Sequence, residues 1–308
     1  MLFLCIGLAL AAVLLIILFI CFSMAYYVPK KSKHSNEEFP IPDGEVYAPF
    51  REAMVNWIKE VRAMPREAVS VTSFDGLTLR GYYYEYAPGA PIELMFPGYR
   101  GQAERDLCGG VQRCFALGHS ALIVDQRACG ISDGNVISFG VNESRDCRTW
   151  LDFMQQRFGS EAKIILTGIS MGAATVLLAA SGKLPDNVIG VLADCGYSSA
   201  KDIICKVIRD MKLPVKAAYP FVRLAGKLFG GFDIEDADPA AALPACKVPV
   251  ILFHGEADDF VPRDMSRINY AQVESRKKLV TIPNAAHGLS YPVDPEGYIS
   301  ALKEFWQY

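Results

Sequence analysis

The stretch KIILTGISMGAAT, residues 163–175, decides the fold. An apolar run of β-type residues, Ile164 to Leu166, leads into Gly168-Ile169-Ser170-Met171-Gly172, and a small-residue helical segment follows from Ala173. Strand, Gly-x-Ser-x-Gly and helix in that order are the setting of a nucleophile elbow. So tight a turn leaves no room for bulky side chains two residues either side of the serine, and glycine tolerates both the strained angles and the close approach. Ser170 is then expected at the strand tip with its hydroxyl exposed. The new helix directs its N-terminal N–H groups at any negative charge developing there. Taken alone, Ser170 equally fits a helix N-cap; residues further along separate the two.

Outward from this stretch, short apolar runs alternate with helical spacing. Strands are predicted near 92–96, 120–125, 163–168, 188–193, 248–253 and 278–282. Helices are predicted near 103–117, 144–158, 171–182, 263–274 and 295–306. Upstream, the runs 69–74 and 77–84 alternate about Asp75-Gly76, a hairpin signal. Tyr47 to Met64 has helical spacing and ends at Pro65. A hairpin followed by βα units predicts an α/β fold, with a mostly parallel, doubly wound sheet and an antiparallel edge. In such sheets sites collect at the C-terminal strand ends. There the sequence sets Pro97-Gly98-Tyr99-Arg100-Gly101, Asp125 to Gly134, Asp194 to Ser198, His254-Gly255 to Pro262, and Asn284 to Gly288.

With those motifs in view, the chain resembles the α/β-hydrolase fold superfamily from about residue 67 to its end. It looks most like bacterial serine hydrolases of the prolyl-oligopeptidase and acyl-esterase type. The resemblance implies Ser170 as nucleophile, Asp258 as acid in the His-Gly-x-x-Asp-x-x-Val-Pro pattern, and His287 as base on the loop after the last strand. The order Ser, Asp, His is the one such folds use. It also implies an oxyanion hole made by the backbone N–H groups of Met171 and Tyr99. The sequence has Phe96-Pro97 where many relatives carry His before the glycine. Asp259 competes with Asp258 by adjacency, and His254 is expected to be a buried structural residue. Arg100 and Arg127 are expected in structural ion pairs with Asp125 or Asp194. The resemblance implies no metal or organic cofactor, and the substrate is an ester, a thioester or a short peptide. A non-catalytic scaffold of the same fold is the reading from another class.

Residues 2–28 carry no charged side chain, and Leu2 to Phe22 alone supplies the roughly 20 residues a membrane span needs. The start lacks the basic residues of a cleavable signal. An uncleaved, single-pass anchor is therefore expected over 1–28, with Tyr26 and Tyr27 at the membrane interface. Lys30, Lys31 and Lys33 place the downstream domain in the cytoplasm. Residues 29–66 are read as linker and helix, and 67–308 as the hydrolase domain, with a helical cap inserted near 200–242. In that cap Ile203, Ile204, Val207, Ile208 and Met211 form an apolar stripe. Tyr219, Phe221, Leu224, Leu228 and Phe229 are expected to wall an acyl pocket. Seven Lys or Arg fall between 201 and 227, so contact with anionic lipid is expected as well.

A net charge of −3 and a pI near 5.9 give no footprint for nucleic acid. The nine cysteines show no Cys-x-x-Cys spacing and suit buried thiols in a reducing compartment.

Overall fold

The computed structural model describes residues 2–29 and 38–307. The basic flank Lys30, Lys31 and Lys33 lies outside the described residues.

Eight strands form one sheet in the order β1-β2-β4-β3-β5-β6-β7-β8. They are β1 (Glu67–Thr72), β2 (Thr78–Tyr84), β3 (Ile92–Phe96), β4 (Ser120–Val124), β5 (Ile164–Ile169), β6 (Val188–Asp194), β7 (Val250–Gly255) and β8 (Lys277–Ile282). The hairpin β1–β2 is antiparallel and joins the sheet antiparallel to β4; from β4 to β8 every pairing is parallel. The central strands β3, β4 and β7 are buried at every position, as both-face coverage requires. Edge strand β1 alternates and turns only Val69 and Val71 inward.

The helices are α1 (Leu2–Ala25), α2 (Arg51–Ala63), α3 (Ala103–Asp106), α4 (Gly110–Ala116), α5 (Val141–Phe158), α6 (Met171–Ala180), α7 (Ala200–Asp210), α8 (Val215–Ala225), α9 (Pro239–Ala242), α10 (Arg263–Gln272), α11 (Ser290–Val293) and α12 (Pro295–Trp306). The period of two along β3 sends Ile92, Leu94 and Phe96 to one face. There they meet Trp150, Leu151 and Met154 of α5 and Val176 and Leu177 of α6. Met95 faces the other way, among Val61 of α2 and Val111 and Cys114 of α4. Further along that second face, Met54 and Ile58 of α2 and Leu302 and Phe305 of α12 cover Ile251 and Phe253. The helix predicted over 103–117 is broken: Leu107 to Gly109 separates α3 from α4. Gly109 has φ +82°, and a Cβ there would lie 2.9 Å from both the Trp57 and Tyr291 rings.

The long apolar helix α1 behaves as two parts. From Phe3 to Ile17 its side chains are exposed, and the helix is long and apolar enough to cross a membrane. Leu18, Phe22 and Tyr26, four residues apart and so on one face, are buried against the rest of the chain. Tyr27 then bridges Val136 in antiparallel fashion, and Val28 N–H donates to Asn135 O at 2.8 Å. Tyr26 is fully buried, donates its hydroxyl to Val222 O at 3.1 Å and packs edge-on against Phe232 and Phe139. The expectation that Tyr26 and Tyr27 sit in the headgroup region is thus corrected: both are taken up by the docking surface.

That surface is the segment expected to cap an acyl pocket. Phe229 packs on Phe19 and Phe22, and Tyr219, Phe221 and Val222 join the cluster around Tyr26. Its charge is also largely spent internally. Lys201, Lys206, Arg223 and Lys227, four of the seven basic residues, pair with Glu235, Asp210 or Asp233.

Candidate active site

Ser170 occupies the sharp corner between β5 and α6, with φ +55° and ψ −118°. A non-glycine residue holds such angles only where its surroundings over-determine them. Ser170 N–H donates to Asp194 O at 2.8 Å, tying the corner to β6. The two glycines are fixed by contact. A Cβ on Gly172 would stand 2.1 Å from Phe96 O, and one on Gly168 would stand 2.2 Å from Gly172 C.

Three loops bring the sequence-predicted residues together. His287, on the loop after β8, has Nε2 2.9 Å from Ser170 Oγ and Nδ1 2.7 Å from Asp258 Oδ2. A carboxylate can only accept, so Nδ1 carries the proton and Nε2 is left to receive the serine hydroxyl hydrogen. Asp258, after β7, is the carboxylate that meets the ring; Asp259 beside it is exposed. Asp258 Oδ1 accepts from the N–H groups of Phe260 (3.0 Å) and Val261 (2.8 Å). Burial pushes this carboxyl up. Hydrogen bonds from His254 and His287, the charge of the His287 ring and the Val261 amide outweigh that and hold its pKa down at about 2. His254 is buried as expected: its Nε2 donates to Val261 O at 2.8 Å and lies 3.3 Å from Asp258 Oδ2, while Nδ1 accepts from Ser266.

The turn Gly98-Tyr99-Arg100-Gly101 lies against the serine, close enough that a Cβ on Gly98 would be 3.5 Å from Ser170 Cβ. Asp106 Oδ2 accepts from Gly98 N–H at 2.9 Å, and Gly98 O accepts from Gly101 N–H at 3.1 Å. Among the described residues, none of the turn's hydrogen bonds takes the Tyr99 amide. Met171 begins α6, so its amide has no acceptor within the helix.

The expected arginine pairings are corrected. Arg127 forks onto Asp146 (2.6 and 2.7 Å) and reaches Asp75 (2.9 and 3.1 Å). Arg100 reaches the main chain at the end of α1, at Met24 O and Tyr27 O, 3.0 Å each. Asp125 accepts instead from the amides of Ala103 and Ile131, and Asp194 from the hydroxyls of Ser290 and Tyr298.

A cavity of about 230 Å³ reaches Ser170 and His287. Its walls are chiefly apolar or aromatic: Met54, Leu107, Ile169, Leu192, Phe260 and Tyr291, with Tyr47 above the histidine loop. No residue of 200–242 lines it, which corrects the acyl-pocket role expected of that segment. Part of the wall comes from strand ends, and the rest from the stretch 42–54, the broken helix near 107 and the short helix α11. Nothing in local spacing marks those side chains as cavity walls. Asp106, which fixes the Gly98 amide, was likewise missed; an acidic residue a few positions past a Gly-rich turn is the signal available for it.

No family model matches the chain. The uncharacterized protein YqkD of Bacillus subtilis is 28% identical over 190 residues, which are 61% of this chain and 62% of YqkD. The chain thus spans less than two thirds of that relative. Among solved structures, the esterase Pf2001 of Pyrococcus furiosus superposes with a TM-score of 0.64 at 21% identity, over 87% of this chain and 96% of its own. Est1E of Butyrivibrio proteoclasticus, with ferulic acid bound, gives 0.59 at 21% identity, over 78% and 98%. The fold is therefore the α/β-hydrolase fold, with its antiparallel hairpin at the N-terminal edge.

Proposed function

We propose that the protein is a membrane-anchored serine hydrolase cleaving carboxylic esters or thioesters through an acyl-serine intermediate. The observation that carries this reading is the chain of two hydrogen bonds from Ser170 Oγ through His287 to Asp258. A serine hydroxyl is too weak an acid to attack a carbonyl carbon unaided. Ser170 Oγ adds to the carbonyl carbon while His287 Nε2 takes its proton, and Asp258 steadies the imidazolium. The tetrahedral oxygen accepts from the amides of Met171 and Tyr99. His287 then protonates the leaving oxygen or sulfur and the acyl-serine forms. A water, deprotonated by the same nitrogen, releases the acid and restores the serine.

The cavity favours a compact acyl group. At about 230 Å³ it is larger than the roughly 150 Å³ cavity that takes up benzene, and suits an aromatic or short-chain acyl group better than a lipid tail. Its apolar walls favour esters over peptides. We read residues 1–28 as the anchor, 29–66 as linker and a leading helix that adds Tyr47 and Met54 to the cavity wall, and 67–308 as the catalytic domain, on the cytoplasmic side set by the basic flank.

The experiment is labelling of the full-length chain with a fluorophosphonate probe, with Ser170→Ala as control. It is followed by p-nitrophenyl esters of varied acyl length beside aminoacyl anilides. Labelling lost in Ser170→Ala and a preference for short or aromatic acyl groups are expected. Anilide cleavage surpassing ester cleavage would replace the esterase by a peptidase, and absent labelling would leave a scaffold.

A further inference from the structure

The end of α1 and the turn beside Ser170 share an interface. The last carbonyls of a helix have no donors within it. Here the two central residues of the Gly98–Gly101 turn supply them. Tyr99 donates its hydroxyl to Ala25 O at 2.8 Å. Arg100 Nη2 donates to Met24 O and Tyr27 O, bringing a cation to the negative end of the helix. Arg100 holds φ +53°, a left-handed conformation that glycine would adopt without strain, and its side chain is what the strain delivers to the helix. The Tyr99 ring packs on Phe139, which also packs on Tyr26, so the turn and the helix end close around one aromatic group. On its other side the turn is fixed by Asp106, through Gly98 N–H.

From this we infer that the C-terminal turn of α1 holds the oxyanion turn in place, with Tyr99 and Arg100 as positioning residues, so that full turnover requires the docked helix. The inference rests on the assignment of the Tyr99 amide to the oxyanion hole. An amide that must meet a transient negative charge loses much of its effect when displaced by an ångström. Gly98 and Tyr99 also line the cavity, but most of its apolar wall lies elsewhere, so substrate binding depends on the turn far less than the oxyanion contact does. The signature is therefore a fall in kcat with KM preserved.

The test uses the full-length chain in lipid nanodiscs. Arg100→Ala is expected to lower kcat about tenfold to a hundredfold with KM within about twofold, and Arg100→Lys to recover part of the loss. Tyr99→Phe, which removes a single hydroxyl, gives a smaller loss of the same kind. Tyr26→Ala weakens the docking of the helix, removes a ring that meets the turn only through Phe139, and is expected to lower kcat similarly. Combined with Arg100→Ala it should fall no further than the worse single variant, since both break one joint. Folding of each variant is checked by thermal melting, and Tyr99→Phe carries the test where a larger change unfolds the chain. The inference is overturned if Tyr99→Phe and Arg100→Ala leave kcat within twofold while fluorophosphonate labelling persists, or if the losses from Tyr26 and Arg100 multiply. A wild-type chain that takes no label at Ser170 would overturn the hydrolase reading first and this inference with it.

Discussion

Among the described helices of ten residues or more, α1 and α6 are apolar and free of charge, and they end in opposite surroundings. The ten residues of α6 are buried on every side, whereas most of α1 has no protein around it. The difference lies in what the small residues of each helix meet. Helix α6 begins Met-Gly-Ala-Ala-Thr, small enough for its backbone to lie against the carbonyls of Phe96 and Pro97 and to hold Ser170 at its tip. Helix α1 has small residues too, Gly7, Ala9, Ala11 and Ala12, but they are exposed, and a Cβ on Gly7 would meet nothing within 4 Å. Apolar content alone says that water is avoided. Where the small residues fall against backbone, as at Gly172, the cover is close-packed protein.

The largest way to break this comparison is at the tip of α6. Ser170→Ala should cost about six orders of magnitude in kcat, if the triad acts as a unit as in serine proteases, with the fold intact by circular dichroism. Next comes the packing of α6 itself. Gly172→Val forces a Cβ to 2.1 Å from Phe96 O, so loss of soluble folded protein is expected, equivalent to more than about 4 kcal/mol. The corresponding change in α1 should spare the fold. Leu10→Arg, at a position 66% exposed, is expected to leave the melting temperature in detergent unchanged. It should weaken membrane insertion by about 3 kcal/mol, seen as loss from the membrane fraction on carbonate extraction.

The smallest effect is at the far end of the site. The Asp258 carboxyl sits at about 2 in the folded chain, below its ordinary value near 4. It therefore adds stability that is complete above about pH 4 and is lost as pH falls through about 2. The contribution is about 2 kcal/mol. Denaturant titrations between pH 5 and 2 should show that slope, and Asp258→Asn should remove one carboxyl's share of it, Glu93 and Asp233, also held low, supplying more.

Period and turn chemistry made the sheet legible. Buried strands such as Ile92–Phe96 read as continuous apolar runs, and the hairpin announced itself at Asp75-Gly76. Ser170, Asp258 and His287 were legible because each follows a strand in a loop with a distinctive neighbourhood, and the sheet brings those strand ends together. What the helix faces meet was not legible. The stripe Ile203, Ile204 and Ile208 shows that a face is buried but not by what, and its neighbours Tyr219 and Phe229 went to α1 rather than to the cavity. Arg100 was misassigned for a related reason. A sequence displays acidic side chains as partners and conceals the carbonyls at a helix end, which attract a guanidinium just as well. The break at Gly109 depends on two rings, Trp57 and Tyr291, that lie far from it along the chain.

The joint at Tyr26 also orders events during synthesis. Its partners, Ile137, Val222 and Phe232, lie about 110 to 206 residues further along the chain. At about 5–20 residues per second, the ribosome exposes α1 some 10–40 s before Phe232 exists. A newborn helix with Leu18, Phe22 and Tyr26 uncovered must therefore be sheltered by lipid or by a chaperone during that interval. The last step of maturation is then the closing of the α/β-hydrolase-fold domain onto a helix already in place.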